Sequence, residues 1–403
     1  MAIPRITIQS SALDVISDVE SKKIAHDSFW VSWDDISNDI EVYQINGESL
    51  VLRSTGAIEI KKHGNRQLSA TYEHTTSAVI EFPSKKFPNY QSSQPLSHIP
   101  SAITTIDVAS RGDLLLVGTS RGELTVLSAQ DRGTVIRKLK GHLMHTTKAK
   151  FFPSGQAAVS IGSDFQIKIW NIVDGSNPRT LTGHKGHITD IGIIERGRNI
   201  VSSSKDATVK LWEVGSAKEI SSFDAGSAVN ALAILGGPSI FEDVAALKFG
   251  VDNKTIAIGL ETESIVSSWD LRTSAEAFKL SVPAPTTSIA SHQENTLVTG
   301  HSTGEVCSWD VRNPSSALSC VNLSSSTSSA SAITSLSVSS DSVVFSTEGE
   351  TDVYKLNLST TNNFDLSSAS TTYLAGGSDP VTSIVQNAST VFMAGKNSSI
   401  WAY

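Results

Sequence analysis

The sequence predicts an all-β chain, a seven-bladed β-propeller preceded by a small β-rich N-terminal domain. Three observations lead there. A block of about 40 residues occurs twice between Gly141 and Glu213 with identical internal spacing. Positions matching its closing tryptophan recur at similar intervals as far as Tyr403. Short β-branched runs bounded by turn residues fill those intervals, such as TVKLW (208–212) and EVCSW (305–309).

The first copy reads Gly141-His142, Ser160, Asp164 and Trp170, and the second Gly183-His184, Ser202, Asp206 and Trp212. In both, His to Ser is 18 residues, Ser to Asp is 4 and Asp to Trp is 6. This is the pattern of a WD-repeat propeller blade. It places each His on the loop entering a blade, each Asp in a tight turn and each Trp on the strand that follows. The Asp can then accept from the imidazole, the imidazole can bond the Ser hydroxyl, and the hydroxyl can accept from the indole N–H. Left unpaired in the interior, such groups would cost roughly 1–3 kcal/mol each. His142, Ser160, Asp164, Trp170, His184, Ser202, Asp206 and Trp212 are therefore structural tetrads.

Equivalents of Trp170 fall at Leu127, Trp170, Trp212, Trp269, Trp309, Tyr354 and Tyr403, in steps of 43, 42, 57, 40, 45 and 49 residues. The long step puts an insertion in the fourth blade, at about 236–253, where GGPS breaks the strand pattern. The last blade ends at its aromatic strand, so its outer strand must come from the N-terminal side, because an open edge exposes unpaired backbone. AVIEF (78–82) and the run around Leu96 are both candidates. The expected domains are 1–90, including the closing strand, and 91–403. The Ser-rich run 324–331 reads as a solvated loop. Where the two full copies carry the turn Asp, the other blades carry Arg121, Glu263, Thr303, Glu348 and Asn397. Those blades are expected to rely on apolar packing.

Net charge is −8, unevenly spread. Residues 101–212 hold 15 basic and 9 acidic side chains, while 213–403 hold 8 and 19. Such polarity can steer a basic partner to one side, or be drift among solvated loops. No basic patch is interleaved with aromatics, which disfavours nucleic acid. Cys307 and Cys320 are too few for a disulfide framework, MAIPRITIQS lacks the apolar core of a signal peptide, and no run reaches membrane-spanning length. A soluble monomer of the cytoplasm and nucleus is expected, with no membrane partner and no cofactor. The pairs His142/His145 and His184/His187 suggest a metal quartet, but His142 and His184 are committed to their tetrads, so no metal is expected. Nucleophile, Walker and dinucleotide motifs are absent, and no catalysis is expected.

The blade entrances are the candidate partner-binding surface. His145, Thr147 and Ser163 should line it in one blade, His187, Thr189 and Lys205 in the next, with Thr262 and Ser302 in the pre-turn slot further on. Asp224, Glu242, Asp243, Glu261, Glu263, Glu348 and Glu350 are the acidic loop candidates. W-D-x-R also occurs twice, at 269–272 and 309–312. It resembles the signature by which WD-repeat substrate receptors dock on the propeller adaptor of cullin-RING ubiquitin ligases. Alternatively each Arg pairs with an Asp at the blade's bottom edge.

Beyond the repeat, WNIVDGSNPRTLTGH followed by ITDIGIIERGRNIVSSSKDATVKLWE resembles the proteasomal-ATPase-associated WD-repeat factors, and FFPSG (151–155) and GKN (395–397) also fit. The close likeness covers about 65 residues of the chain. It implies a non-catalytic assembly chaperone of the proteasome regulatory particle base. Such a factor binds the C-terminal domain of an AAA ATPase subunit and leaves before or during docking on the proteolytic core.

Overall fold

The computed structural model describes residues 2–34, 36–45, 49–73, 76–87, 101–131, 133–236, 250–292, 294–323, 331–348, 352–358, 364–375, 379–388 and 390–403. The N-terminal part holds β1 (Ala2–Ile3), β2 (Ile6–Ile8), α1 (Ala12–Glu20), β3 (His26–Trp33), β4 (Ile36–Ile45), β5 (Ser49–Ser54), β6 (Ile58–Lys62), β7 (Gln67–Tyr72), β8 (Thr76–Glu81) and β9 (Lys85–Phe87). Seven blades follow among the described residues. Blade 1 is β10–β13 (103–139), blade 2 β14–β17 (146–182), blade 3 β18–β21 (188–224) and blade 4 β22–β25 (229–281). Blade 5 is β26–β29 (286–323), blade 6 β30–β33 (333–375), and blade 7 contributes β34–β36 (381–402). The innermost strands lie side by side around a central channel, the seventh beside the first.

Packing explains the strand sequences. The second strand of a blade has neighbours on both faces, so β15 (Ala157–Gly162) and β19 (Asn199–Ser204) are buried nearly throughout. The outermost β13 (Val135–Leu139) is largely exposed. Inner strands are also stitched across blade junctions. The Asp107 carboxylate accepts from Phe151 N–H at 2.7 Å, Asp190 from Leu232 N–H at 3.2 Å, and Ser383 Oγ from Ile106 N–H at 3.2 Å.

The ring closes on β9, which pairs antiparallel with β36 (Ile400–Ala402) through Phe87, Lys86 and Lys85. Neither run expected from the sequence supplies this strand. AVIEF falls largely in β8, which instead extends blade 6 by pairing in parallel with β33 (Ser370–Ala375), and Leu96 lies outside the described residues. β1 likewise extends blade 5, in parallel with β29 (Ser319–Leu323). Helix α1 buries Ala12, Ile16 and Val19, a single face at spacings of four and three. Their core is continuous with the propeller: Ile16, Phe29, Trp33 and Leu68 share one cluster with Val298, Val306, Phe345 and Tyr354. The boundary expected at 90/91 lies outside the described residues.

Register also revises one alignment. Trp170 pairs with Ala158 and Trp309 with Leu297, each the second residue of its neighbouring strand. In blade 6 that partner, Val343, pairs with Leu356, so Leu356 and not Tyr354 holds the tryptophan position. The fourth-blade insertion lies between β22 (Val229–Leu235) and β23 (Thr255–Leu260), with 237–249 outside the described residues. Cys307 and Cys320, opposite each other on neighbouring strands of blade 5, form a disulfide. Among the described residues no helix is long and apolar enough to cross a membrane.

Candidate partner-binding face

Both full tetrads form as their spacing requires. His142 Nδ1 lies 2.9 Å from Asp164 Oδ1 and its Nε2 lies 2.8 Å from Ser160 Oγ, which accepts from Trp170 Nε1 at 2.8 Å. In blade 3 the distances are 3.0, 2.8 and 2.8 Å for His184, Ser202 and Trp212 with Asp206. Burial pushes both imidazoles below the ordinary histidine range, with the facing carboxylates offsetting it only in part. They are neutral at pH 7, which fixes the proton order Trp to Ser to His to Asp.

Blade 5 builds a substitute that the repeat pattern did not show. Trp309 Nε1 donates to Thr299 Oγ1 at 2.9 Å, and Thr299 Oγ1 bonds His301 Nε2 at 2.9 Å. The far ring nitrogen, Nδ1, donates to the Ala284 carbonyl at 2.9 Å, so a backbone oxygen replaces the aspartate. The expectation that this blade depends on apolar packing is corrected accordingly. Thr299 stands ten residues before Trp309, as Ser160 does before Trp170, but its His comes from a strand instead of the entry loop. Blade 7 uses Asp379, whose carboxylate accepts from Asn397 N–H at 2.8 and 2.9 Å.

One backbone bond recurs in all seven blades and defines the top face. The residue after the second strand donates its N–H to the carbonyl just before the first: Ser120 to Ala102, Ser163 to His145, Lys205 to His187, Glu261 to Ala228, Ser302 to Pro285, Glu348 to Ala332 and Lys396 to Pro380. Ser163, Lys205 and Ser302 thus occupy the expected slot. In blade 4 the slot belongs to Glu261, and Thr262 and Glu263 follow it. The turn there is one residue longer, since Ile256 pairs with Trp269 thirteen positions on, against twelve from Ala158 to Trp170. Thr262 Oγ1 bonds Ser227 Oγ at 3.2 Å.

These slots bring together a polar arc over blades 2 to 4. The His145 and His187 rings stand 6.4 Å apart, and Thr147 Oγ1 lies 3.3 Å from His187 Nε2. Burial lowers the affinity of both rings for a proton, and His145 and Lys205 lower that of His187 further. The Lys205 ammonium contacts Asn230 Oδ1 at 2.6 Å and Glu261 Oε1 at 2.8 Å. Thr189 does not join the surface. It is 8 % exposed and bonds Ser203 Oγ within its own blade. Asp224, Glu261, Glu263 and Glu348 are exposed and lie at the ends of second or fourth strands, on this same face. Glu242, Asp243 and Glu350 lie outside the described residues.

Sequence reasoning missed three exposed apolar residues of the top face. Leu143 is 87 % exposed, Met144 56 % and Phe165 42 %. Apolar residues in the Gly-His loop and after the turn Asp were the available signal. On the opposite side, Arg312 closes on Asp310 at 2.6–3.2 Å and Arg272 reaches Asp252 at 3.3 Å, so both arginines of the W-D-x-R pair have acidic partners. Among the described residues no cluster of metal-ligating side chains occurs.

The WD domain, G-beta repeat model matches residues 133–171 and 175–213, each match running from an outer strand through three strands of the next blade. The 26S proteasome regulatory subunit RPN14 of Saccharomyces cerevisiae is 30 % identical over 214 residues, 49 % of this chain and 51 % of that protein. The match therefore spans about half the length of this curated relative. Periodic tryptophan protein 2 of the same yeast is 29 % identical over 96 residues, 24 % of this chain and 10 % of that protein. Among solved structures, U3-55K superposes with TM-score 0.65 at 14 % identity over 79 % of this chain and 97 % of that one. The WD40 repeats of RRP9 give 0.63 at 15 % identity over 78 % and 98 %. At those identities the likeness shows the fold alone, a WD-repeat propeller.

Proposed function

We propose that this chain is a non-catalytic assembly chaperone that binds the C-terminal domain of a proteasomal AAA ATPase subunit while the regulatory-particle base is put together. The 30 % identity to RPN14 over 214 residues is the observation that carries this reading. A rigid ring with a polar, charged top face suits it, because such a ring can hold a domain and block its neighbours without turnover. The bound domain would lie across the blade entrances, and the free chain would be a monomer.

The test is affinity purification from cell extract, with mass spectrometry of the co-purifying proteins. Free ATPase-base subunits without the proteolytic core are the expected result, and they would name the subunit. Recovery of a cullin and its propeller adaptor, lost when Arg272 and Arg312 are both changed to Ala, would instead make the chain a ligase substrate receptor. The alternative account of the W-D-x-R pair is supported by the exposed ion pairs that Arg272 and Arg312 make with Asp252 and Asp310.

A further inference from the structure

We propose that the top of blade 2 is a docking site for an acidic peptide segment of another protein that carries large apolar side chains. The site lies beside the polar arc and does not depend on which protein that arc binds.

Leu143, Met144 and Phe165 are exposed on two neighbouring loops of blade 2 that the tetrad frame holds together. Leu143 N–H donates to Asp164 Oδ2 at 3.2 Å, and Ser163 N–H to the His145 carbonyl at 2.9 Å. The entry loop and the turn bearing Phe165 are thereby zipped side by side. Scattered exposed apolar residues are ordinary on a protein surface, whereas adjoining ones on a rigid frame mark a contact site.

Phe165 is also conformationally costly. Its φ is 62°, in the left-handed region that a bulky side chain rarely adopts. The residue after the turn Asp in blade 3 is Ala207, and the left-handed turn positions of blades 1, 5 and 7 hold Gly122, Gly304 and Ser398. Only blade 2 among these places an aromatic ring there, and that residue is 42 % exposed. Strain kept at an exposed position points to a use outside the fold.

Charge selects the partner. The carboxylates of these loops, Asp164 and Asp206, are turned inward on their histidines, with side chains 6 % and 9 % exposed. The outward charges on the same loops are the exposed Lys140 and Lys185. Blade 3 holds Lys185 in the frame position where blade 2 holds Leu143, its N–H on Asp206 Oδ2 at 2.7 Å. An apolar knob bordered by cations matches a segment in which apolar residues alternate with Asp or Glu.

Random peptides about a dozen residues long, displayed on phage, would be selected on the full chain and counter-selected on a Leu143→Ser/Phe165→Gly variant. The expected survivors are rich in Asp and Glu and contain Leu, Phe or Trp. A survivor should bind Phe165→Gly roughly tenfold more weakly, although that variant melts no lower than the parent. Lys140→Glu/Lys185→Glu should weaken it too and flatten its salt dependence. The proposal is overturned if survivors are basic or uncharged, or if none distinguishes the variant. It is equally overturned if the chain self-associates and the same substitutions abolish this, which would make a second copy the occupant.

Discussion

At the scale of single residues, the tetrads show how one carboxylate organises a blade. Burial pushes Asp206 up, but donors from Thr208, Lys185 and His184 outweigh it and hold the carboxyl down at about 2. Asp206→Ala strips an acceptor from all of them and leaves the buried His184 and Trp212 poorly fixed. A loss of roughly 1–3 kcal/mol in denaturant melts is expected, with a fold that still binds its partner once refolded. Lost binding at an unchanged melting point would make Asp206 a contact residue instead. The sign of its pH dependence comes from a folded value below the ordinary 3.8. Its stabilisation is complete above that value and fades as pH falls towards 2, a loss the variant lacks. His301 responds in another window. Burial lowers it to about 4, against 6.5, with the Ala284 carbonyl only partly opposing. Its neutral form is stabilising above pH 6.5, and that stability drains away as pH drops towards 4, on the order of 3 kcal/mol when complete. His301→Gln should flatten the stability profile of the whole chain between those limits. A profile identical to the parent's would exclude the strand-borne imidazole as a buried neutral group.

At the scale of strands and blades, what was readable from the sequence is the part set by side chains that must meet. The intervals of 18, 4 and 6 residues placed two tetrads correctly, because buried hydrogen bonds tolerate no slippage. Position was lost wherever backbone alone decides. The extra turn residue in blade 4 moved the slot from Thr262 to Glu261, and Leu356, bearing no indole, concealed the alignment of blade 6. Closure was illegible for the same reason. The closing strand is three residues of KKF, with no alternation long enough to announce it, whereas the more strand-like AVIEF covers the outer edge of blade 6. Yet β9 is well anchored. Phe87 is buried in a core with Ile103, Leu127 and Ile400, its ring 6.4 Å from Phe392, and Lys85 Nζ reaches the carbonyls of Ala129 and Gln130 at 2.7 and 2.6 Å. Phe87→Ala should therefore cost about 3 kcal/mol. In hydrogen exchange, amides of Ile400–Ala402 should open before those of blades 2 and 3. Uniform exchange across all blades would mean that β9 does not close the ring on its own.

On the scale of the molecule, charge divides the top face more sharply than it divides the chain. The slot defined by the recurring backbone bond carries Ser163 and Lys205 in blades 2 and 3, then Glu261 in blade 4 and Glu348 in blade 6. Lys205 and Glu261 meet at the border and largely neutralise each other, at 2.8 Å. Beyond that border the outward charge is acidic, with Asp224, Glu263 and Glu348 all exposed, while the side towards blade 2 presents Lys140 and Lys185. A partner lying across the ring would feel a field with direction, and a basic domain would be drawn to blades 4 to 6 before any contact forms. Fields of this kind act mainly on encounter, over distances of about 8 Å at physiological salt. Asp224→Lys, Glu263→Lys and Glu348→Lys combined should therefore slow association with an ATPase C-terminal domain, and leave dissociation less affected. The slope of association rate against ionic strength should flatten as well. Glu263 and Glu348 are exposed turn residues and Asp224 is the exposed last residue of the outer strand of blade 3, all outside the tetrads, so the melting temperature should change little. If rate and salt dependence both match the parent's, the acidic arc is solvated surface, and capture of the domain must rest on the polar residues around His145, His187 and Lys205.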